Sequence, residues 1–268
     1  YSRTKNLLQD FAQSLSGFDN IIVTDIYAAR EVDHHEVSSR DLVNLININR
    51  VGKQALYMSD FNEIAKYIRE AIEEDSHLEH KRMIVPIVDV PGQAFGYHEE
   101  LLGIYLSCSA SIEAYATARL KGHPIISAIV GNAISGAFLA HGMQSNRLIA
   151  LNDEGVNVHV MSKKSAALIT QRTVEELEEA SKATPSIAYD IQSFNKLGAL
   201  FEIIENVQAD TPSEEEVLKV QQSIIRAVED IKQDPTLDLS VRLCSNIAKQ
   251  SGRRASIQVR EMIDQQWK

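Results

Sequence analysis

Cysteine is nearly absent from the 268 residues: Cys108 and Cys244 are the only two, far apart in helix-like segments and in no CxxC or Cys/His spacing. A disulfide framework or a zinc site is therefore not expected. Positive charge is also in deficit, with 27 Lys and Arg against 37 Asp and Glu and a formal net charge of -10. That balance repels phosphate backbones and anionic lipid, so neither nucleic acid nor a membrane surface is an expected partner. No apolar run approaches the roughly 18 to 20 residues that cross a bilayer. The first residues, YSRTKNLLQD, lack the apolar stretch of a secretory signal, which makes a cytoplasmic location the expectation. No fixed-period repeat or low-complexity tract is visible.

What remains is a chain 44% hydrophobic, enough for one large core or two modest ones. Leu7, Leu8, Phe11 and Leu15 share a helical face, and IIVTDIYAA follows as a β-rich run. Ser38 and Ser39 can cap a helix through Asp41 to Ile48, QALYM reads as a short strand, and Asp60 can cap a helix from Phe61. That helix buries Ile64, Ile68, Ala71 and Ile72 and is expected to turn Glu70, Glu73, Glu74 and Asp75 to water. MIVPIVDV is a strand ending in a Pro-Gly turn, and HEELLGIYLSCSASIEAYATARLKGH reads as one long helix stopped by Gly122 and Pro124. PIISAIVG is a second buried strand, NAISG a tight turn and AFLAHGMQ a helix start, with two short strands in RLIALNDEGVNVHVM. Helices are expected at SKKSAALIT, TVEELEEASK, SFNKLGALFEIIE and SEEEVLKVQQSIIRAVEDI. Strands alternating with helices predict an α/β class. The acidic run at residues 213–216 suits a helix N-terminus. The basic QSGRRASIQVR, with Arg253, Arg254 and Arg260, suits a solvated terminal helix, though it could also meet an acidic partner.

Two segments could carry chemistry. In IVGNAISGAFLAHG a buried strand runs into a glycine-containing turn that opens a helix, and the amides around Ser135 and Gly136 could donate to a developing oxyanion. The strand MIVPIVDV, with its turn at Pro91, Gly92 and Gln93, has the same build. Taken alone, each is equally a βα turn with glycine for steric reasons. GNAISG is not a GxSxG nucleophile elbow, because Ala133 stands where that pattern needs glycine before Ser135. Of His98, His123, His141 and His159, His159 is the imidazole whose strand end approaches the turns, while His123 suits a helix-end cap. His34 and His35 have no partner at metal-ligand spacing, so no metal is expected.

The stretches IVDVPGQAFGYHEELLGI, ARLKGHPIISAIVGNAISGAFLAHGMQSNRLIAL and GVNVHVMSKKSAALIT resemble the gamma subunit of biotin-independent malonate decarboxylase, from about Ala71 to Trp267. The resemblance implies a crotonase-like carboxyltransferase fold over residues 69–268, paired with a beta subunit. Together the two would convert malonyl on an acyl-carrier subunit to acetyl and CO2. It also implies that no cofactor binds this chain directly, the thioester being held by the carrier's phosphoribosyl-dephospho-CoA group. Decarboxylation of a malonyl thioester drives an electron pair onto the carbonyl oxygen, and backbone donors at Gly92, Gln93, Ser135 and Gly136 would hold it, with His159 as a proton source.

YSRTKNLLQDFAQSLSGFDNIIVTDIYAARE and EVSSRDL resemble a different family, the C-terminal domain of UDP-N-acetylmuramate-alanine ligase, over residues 1–68. This implies a small Rossmann-like α/β fragment without the ligase's nucleotide-binding P-loop, and hence no ligase activity. The two resemblances meet inside NEIAKYIREAIEED, where no Gly, Pro or Ser-rich linker lies. Such a junction leaves three alternatives to a decarboxylase subunit: a non-catalytic assembly module, a non-functional chimera, or the carboxyltransferase subunit of a biotin-dependent malonate decarboxylase. It also predicts that the crotonase half keeps its site but lacks edge strands, leaving pairing groups for a partner to cover; a strand near residues 83 to 90 without neighbours would mark a non-functional hybrid.

Overall fold

The computed structural model describes residues 8–10, 12–13, 15–16, 21–24, 38–48, 56–58, 61–94, 96–208, 211–250 and 252–267. Leu7, Phe11, His34, His35 and Asp60 lie outside that set. Strand β1 (Ile22–Thr24), helix α1 (Ser39–Ile48) and strand β2 (Leu56–Met58) form a parallel β-α-β unit, with Ile22 in register with Leu56. Ser38 starts α1 as expected: its N–H and hydroxyl donate to the Asp41 carboxylate at 2.8 and 2.7 Å, and the Asp41 N–H donates back to the hydroxyl at 3.2 Å. Leu42, Val43 and Ile46 then pack with Ala12 and Ile21 in a small core of their own. This is the Rossmann-like fragment.

Helix α2 (Phe61–Glu74) runs unbroken across residues 68 and 69, where the two resemblances meet. Asp75, expected to face water, is instead 1% exposed. It follows Ile68 and Ala71 at helical spacing, on the buried stripe. Its carboxylate is held by the Arg82 backbone N–H and the Arg82 guanidinium Nε, each at 2.9 Å. That hydrogen bonding outweighs desolvation and pulls the Asp75 pKa down to about 2. His123 does cap a helix end, its backbone N–H donating to the Ala118 carbonyl at 3.0 Å, and its ring is buried beside Asp75 with Nδ1 3.0 Å from the Arg82 carbonyl.

Strand β3 (Ile87–Val90) leads to helix α3 (Tyr97–Leu101) and helix α4 (Ile104–Leu120), so the long helix expected here is broken. Gly103 makes the break at φ +79°, in the left-handed region that favours glycine. Ala114, Tyr115 and Ala118 of α4 receive the buried face of α2. Strand β4 (Ile126–Ile134) continues through the segment expected to be a tight turn, and helix α5 (Ser135–Ala140) starts directly from its end. Strands β5 (Arg147–Leu151) and β6 (Asn157–His159) follow, then helices α6 (Lys163–Thr170), α7 (Val174–Ala183) and α8 (Ile191–Asn195). The expected helix SFNKLGALFEIIE holds only α8; after Gly198 at φ +76° the chain forms strand β7 (Glu202–Ile204). Helices α9 (Glu214–Gln233), α10 (Ser240–Cys244), α11 (Asn246–Gln250) and α12 (Arg254–Gln266) complete the order. The acidic run does open α9, through a reciprocal cap between Ser213 and Glu216.

The strands lie in the order β3-β4-β5-β7, all parallel, with β6 beside the second half of β4. Parallel strands need helical crossovers and are covered on both faces, which is why Ile126, Ile129, Leu148 and Ile149 are fully buried. Val88, Phe138, Ile191 and Ile224 join them in one core. Among the described residues β3 has a strand neighbour on one side only. The α/β architecture with a parallel sheet is the one the sequence predicts.

Candidate functional site

The carboxyl ends of β3 and β4 release two strand-to-helix turns side by side. Gly92 adopts φ +124°, and a Cβ there would sit 3.9 Å from Ile134 Cγ2 and Ser135 Cβ. Ser135 itself takes φ +60°, a left-handed conformation that costs a non-glycine residue on the order of 1–3 kcal/mol and persists only where the surroundings impose it. Here the imposition is an extended strand (Ile134, φ -117°, ψ 136°) turning at once into a helix. Helix first-turn amides have no intrahelical acceptor. That of Ala137 donates to Gln93 Oε1 at 3.2 Å, so the first turn is tied to the second by a side chain. A Cβ on Gly136 would meet the Gln93 amide at 3.1 Å.

The ends of the two strands are further fixed by Asp89. Its carboxylate accepts the Asn132 backbone N–H at 2.8 Å and the Asn132 side-chain amide at 3.3 Å. A Cβ on Gly131 would collide with that carboxylate, so glycine there serves the close approach of Asp89. The register between β3 and β4 shifts between Val88 and Val90, at this contact. Among the described residues no imidazole or carboxylate is hydrogen-bonded to the Ser135 hydroxyl, so Ser135 lacks the neighbour that would make it a nucleophile.

The histidines separate by burial. His141 is enclosed, with Nδ1 3.0 Å from the Tyr115 hydroxyl and Nε2 3.3 Å from the Ile87 carbonyl. Burial pushes its pKa down to about 4, against a smaller opposing pull from the Ile87 carbonyl, so the ring is neutral near pH 7. Burial also lowers the His123 pKa. His98 stands exposed on α3. His159 pairs across the strands with Ile134, the residue before Ser135, which brings it to the same end of the sheet. Its ring lies 4.7 Å from that of Tyr189, and Lys163 Nζ sits 5.5 Å from the centre of the Tyr189 ring. No group of three or more His, Cys, Asp or Glu among the described residues could hold a metal ion.

The family model of the malonate decarboxylase gamma subunit matches residues 52–267. The chain belongs to the malonate decarboxylase gamma subunit family. A crystal structure of a Pseudomonas malonate decarboxylase hetero-tetramer in complex with coenzyme A contains a similar chain, 44% identical, with TM-score 0.72, covering 77% of this chain and 76% of that one. The malonyl-S-ACP:biotin-protein carboxyltransferase of Malonomonas rubra is 40% identical over 148 residues, 54% of this chain and 51% of the relative. A UDP-N-acetylmuramate–L-alanine ligase of Caldanaerobacter subterraneus is 57% identical over 74 residues, 28% of this chain but 16% of the ligase. The chain thus spans about half the length of the first relative and a small part of the second. It is a gamma-family unit together with a ligase-like segment.

On this gamma-family frame the structure gathers Gly92, Gln93, Ser135 and Gly136 at one place and brings His159 to the same strand ends. Sequence reasoning missed the Gln93 side chain, Ala137 and Asp89; each acts across a long stretch of chain, 44 residues from Gln93 to Ala137 and 43 from Asp89 to Asn132. Just beyond the first turn, Tyr97, Leu101, Leu102, Tyr105 and Leu106 are all exposed, Leu102 to 88%. So many large apolar side chains within ten residues are the mark of a surface that meets another molecule.

Proposed function

We propose that this chain is the gamma component of a malonate decarboxylase, which with a beta subunit converts malonyl on an acyl-carrier subunit to acetyl and CO2. The observation that carries the reading is the meeting of the two strand-to-helix turns at Gly92–Gln93 and Ser135–Gly136, on a chain of this family. The bond between the malonyl methylene and its carboxylate breaks, and its electron pair moves onto the thioester oxygen. Amide donors fixed before the reaction stabilise that oxygen without reorganising, worth about 3 to 4 kcal/mol for one donor. CO2 leaves and the methylene carbon takes a proton, a step we assign to His159. The carrier's phosphoribosyl-dephospho-CoA thioester is the substrate group, and the chain itself binds no cofactor.

The exposed apolar face of α3 and α4 supports the need for a partner, and the similar Pseudomonas chain comes from a hetero-tetramer. The test is reconstitution. The purified chain, a beta subunit and malonyl-loaded carrier should release CO2, and Gly136→Val should lower kcat by about 10²- to 10³-fold. Absence of CO2 from the complete mixture would leave the chain as an assembly module or a non-functional hybrid. A second reading is favoured by the Malonomonas relative, whose name includes biotin protein: the same turns would support carboxyl transfer to biotin. With a biotin protein added to the mixture, loss of the malonyl carboxyl group that requires that protein and stops on adding avidin would select that reading; CO2 release without any biotin protein selects the biotin-free one.

A further inference from the structure

The space left by the missing side chain of Gly136 is filled by Gln93. A Cβ at residue 136 would stand 3.1 Å from both Nε2 and Oε1 of Gln93 and 3.2 Å from its Cδ, so the carboxamide lies flat against the Gly136 backbone. The amide thereby spans the two turns. Its Oε1 accepts the Ala137 N–H at 3.2 Å, which fixes the orientation and leaves two N–H donors on Nε2. Among the described residues nothing accepts from Nε2. The helix donor at Ala137 is consumed inside the protein, and a side-chain donor stands in for it one amide further out.

We propose that Gln93 is a catalytic residue whose Nε2–H donates to the oxygen that becomes negative during decarboxylation, while its Oε1 remains on Ala137. The inference rests on the decarboxylase reading above. The amide gives up no proton: the electron pair of the breaking carbon-carbon bond goes to the thioester oxygen, and the carbon is protonated separately. Glycine at 136 then has a cause beyond backbone freedom, since any side chain would displace the donor. A purely structural Gln93 would use only its oxygen, as a tie between turns.

Gln93→Glu separates the two roles. The carboxylate keeps the length of the side chain and accepts the Ala137 N–H at a helix N-terminus at least as well as an amide does. It has no N–H to give and sets a like charge beside the developing anion. In the reconstituted complex with malonyl-carrier, kcat should fall by about 10²- to 10³-fold, with KM within about threefold and the melting temperature unchanged. Part of kcat should return as the pH falls below about 5 and the glutamate is protonated, a response that a tie between turns has no reason to show. Gln93→Met, which keeps the volume and loses the donor, should show the same kcat loss without the acid recovery. The proposal is overturned if either variant keeps kcat within about twofold of the parent, or if the loss lies in KM alone. If the parent complex releases no CO2, the decarboxylase reading falls and takes this one with it; an active parent with an active Gln93→Glu removes this one only.

Discussion

The two ends of the main sheet are built on opposite principles. At the amino ends of the strands, buried polar groups are densely paired. Arg147 donates to Asp230 at 2.5 Å and Asp234 at 2.8 Å, Arg119 to the carbonyls of Gln144 and Leu237, and Arg242 to the Met143 carbonyl at 2.9 Å. Burial by itself would push the Asp234 pKa up, yet hydrogen bonds from Arg147 and Thr236 hold it below its ordinary value. Arg242 feels the crowding: burial first, then Arg119, Arg147 and Arg253, bring its pKa down to about 10. Ser127, Ser145 and Asn146 add to the pairing, while Arg242 Nε stays without a hydrogen-bond partner among the described residues. At the carboxyl ends the backbone is strained at Ser135, opened by glycines and bordered by exposed apolar side chains. One end holds the sheet; the other, on the proposed function, is kept ready for a ligand and a partner.

That contrast can be broken deliberately. The largest effect is expected from Arg147→Ala, which strands the Asp234 carboxylate, 6% exposed, without its cation. It should destabilise the protein by about 3 to 5 kcal/mol in denaturant titration while leaving kcat per folded complex unchanged. Gly136→Val should do the reverse, with a barrier higher by about 3 to 4 kcal/mol and little change in melting temperature. If both variants lose stability and kcat together, the division between the two ends is wrong.

Acid sharpens it next. The folded His141 resists a proton, with its pKa about 4, that the unfolded chain accepts near 6.5. Its contribution is therefore whole above the unfolded value and is lost as pH falls from about 6.5 toward 4, by on the order of 3 kcal/mol. Asp75, with its pKa held down to about 2 from 3.8, adds a second loss between those values. Unfolding free energies measured from pH 7 down should show the upper decline vanish in His141→Gln. The smallest effect is Ser135→Gly, which removes the left-handed strain and should stabilise by about 1 kcal/mol; a loss of stability would mean the Ser135 side chain contributes more than its backbone costs.

Much of this layout is written locally in the sequence. The β-branched runs MIVPIVDV, PIISAIV and RLIAL form the parallel strands, and the Ser38 and Ser213 caps start their helices as their side chains dictate. The failures share a cause, which is that the deciding partner is remote. Asp75 reads as solvent-facing because its partners, Arg82 and His123, lie outside its own helix, although its spacing from Ile68 and Ala71 puts it on the buried stripe. NAISG looks like a turn, but Asp89 takes the Asn132 N–H and Gly131 makes room, so the strand runs on to Ile134. Gly103 and Gly198 did carry a local signal, a glycine able to take the positive φ seen at both, that helical periodicity on either side concealed. The two candidate turns were legible from strand, turn and helix alone; the side chain lying across them was not.

The one-sided pairing of β3 has a practical corollary. Among the described residues β3 has a strand on one border only, and Ile87 on it is 38% exposed, so part of the other border is open to another chain. Produced without its companion, such a border invites a second molecule to add a strand, and the outcome would be soluble aggregates that grow with concentration. Co-expression, rather than mixing after purification, is then the route to homogeneous material.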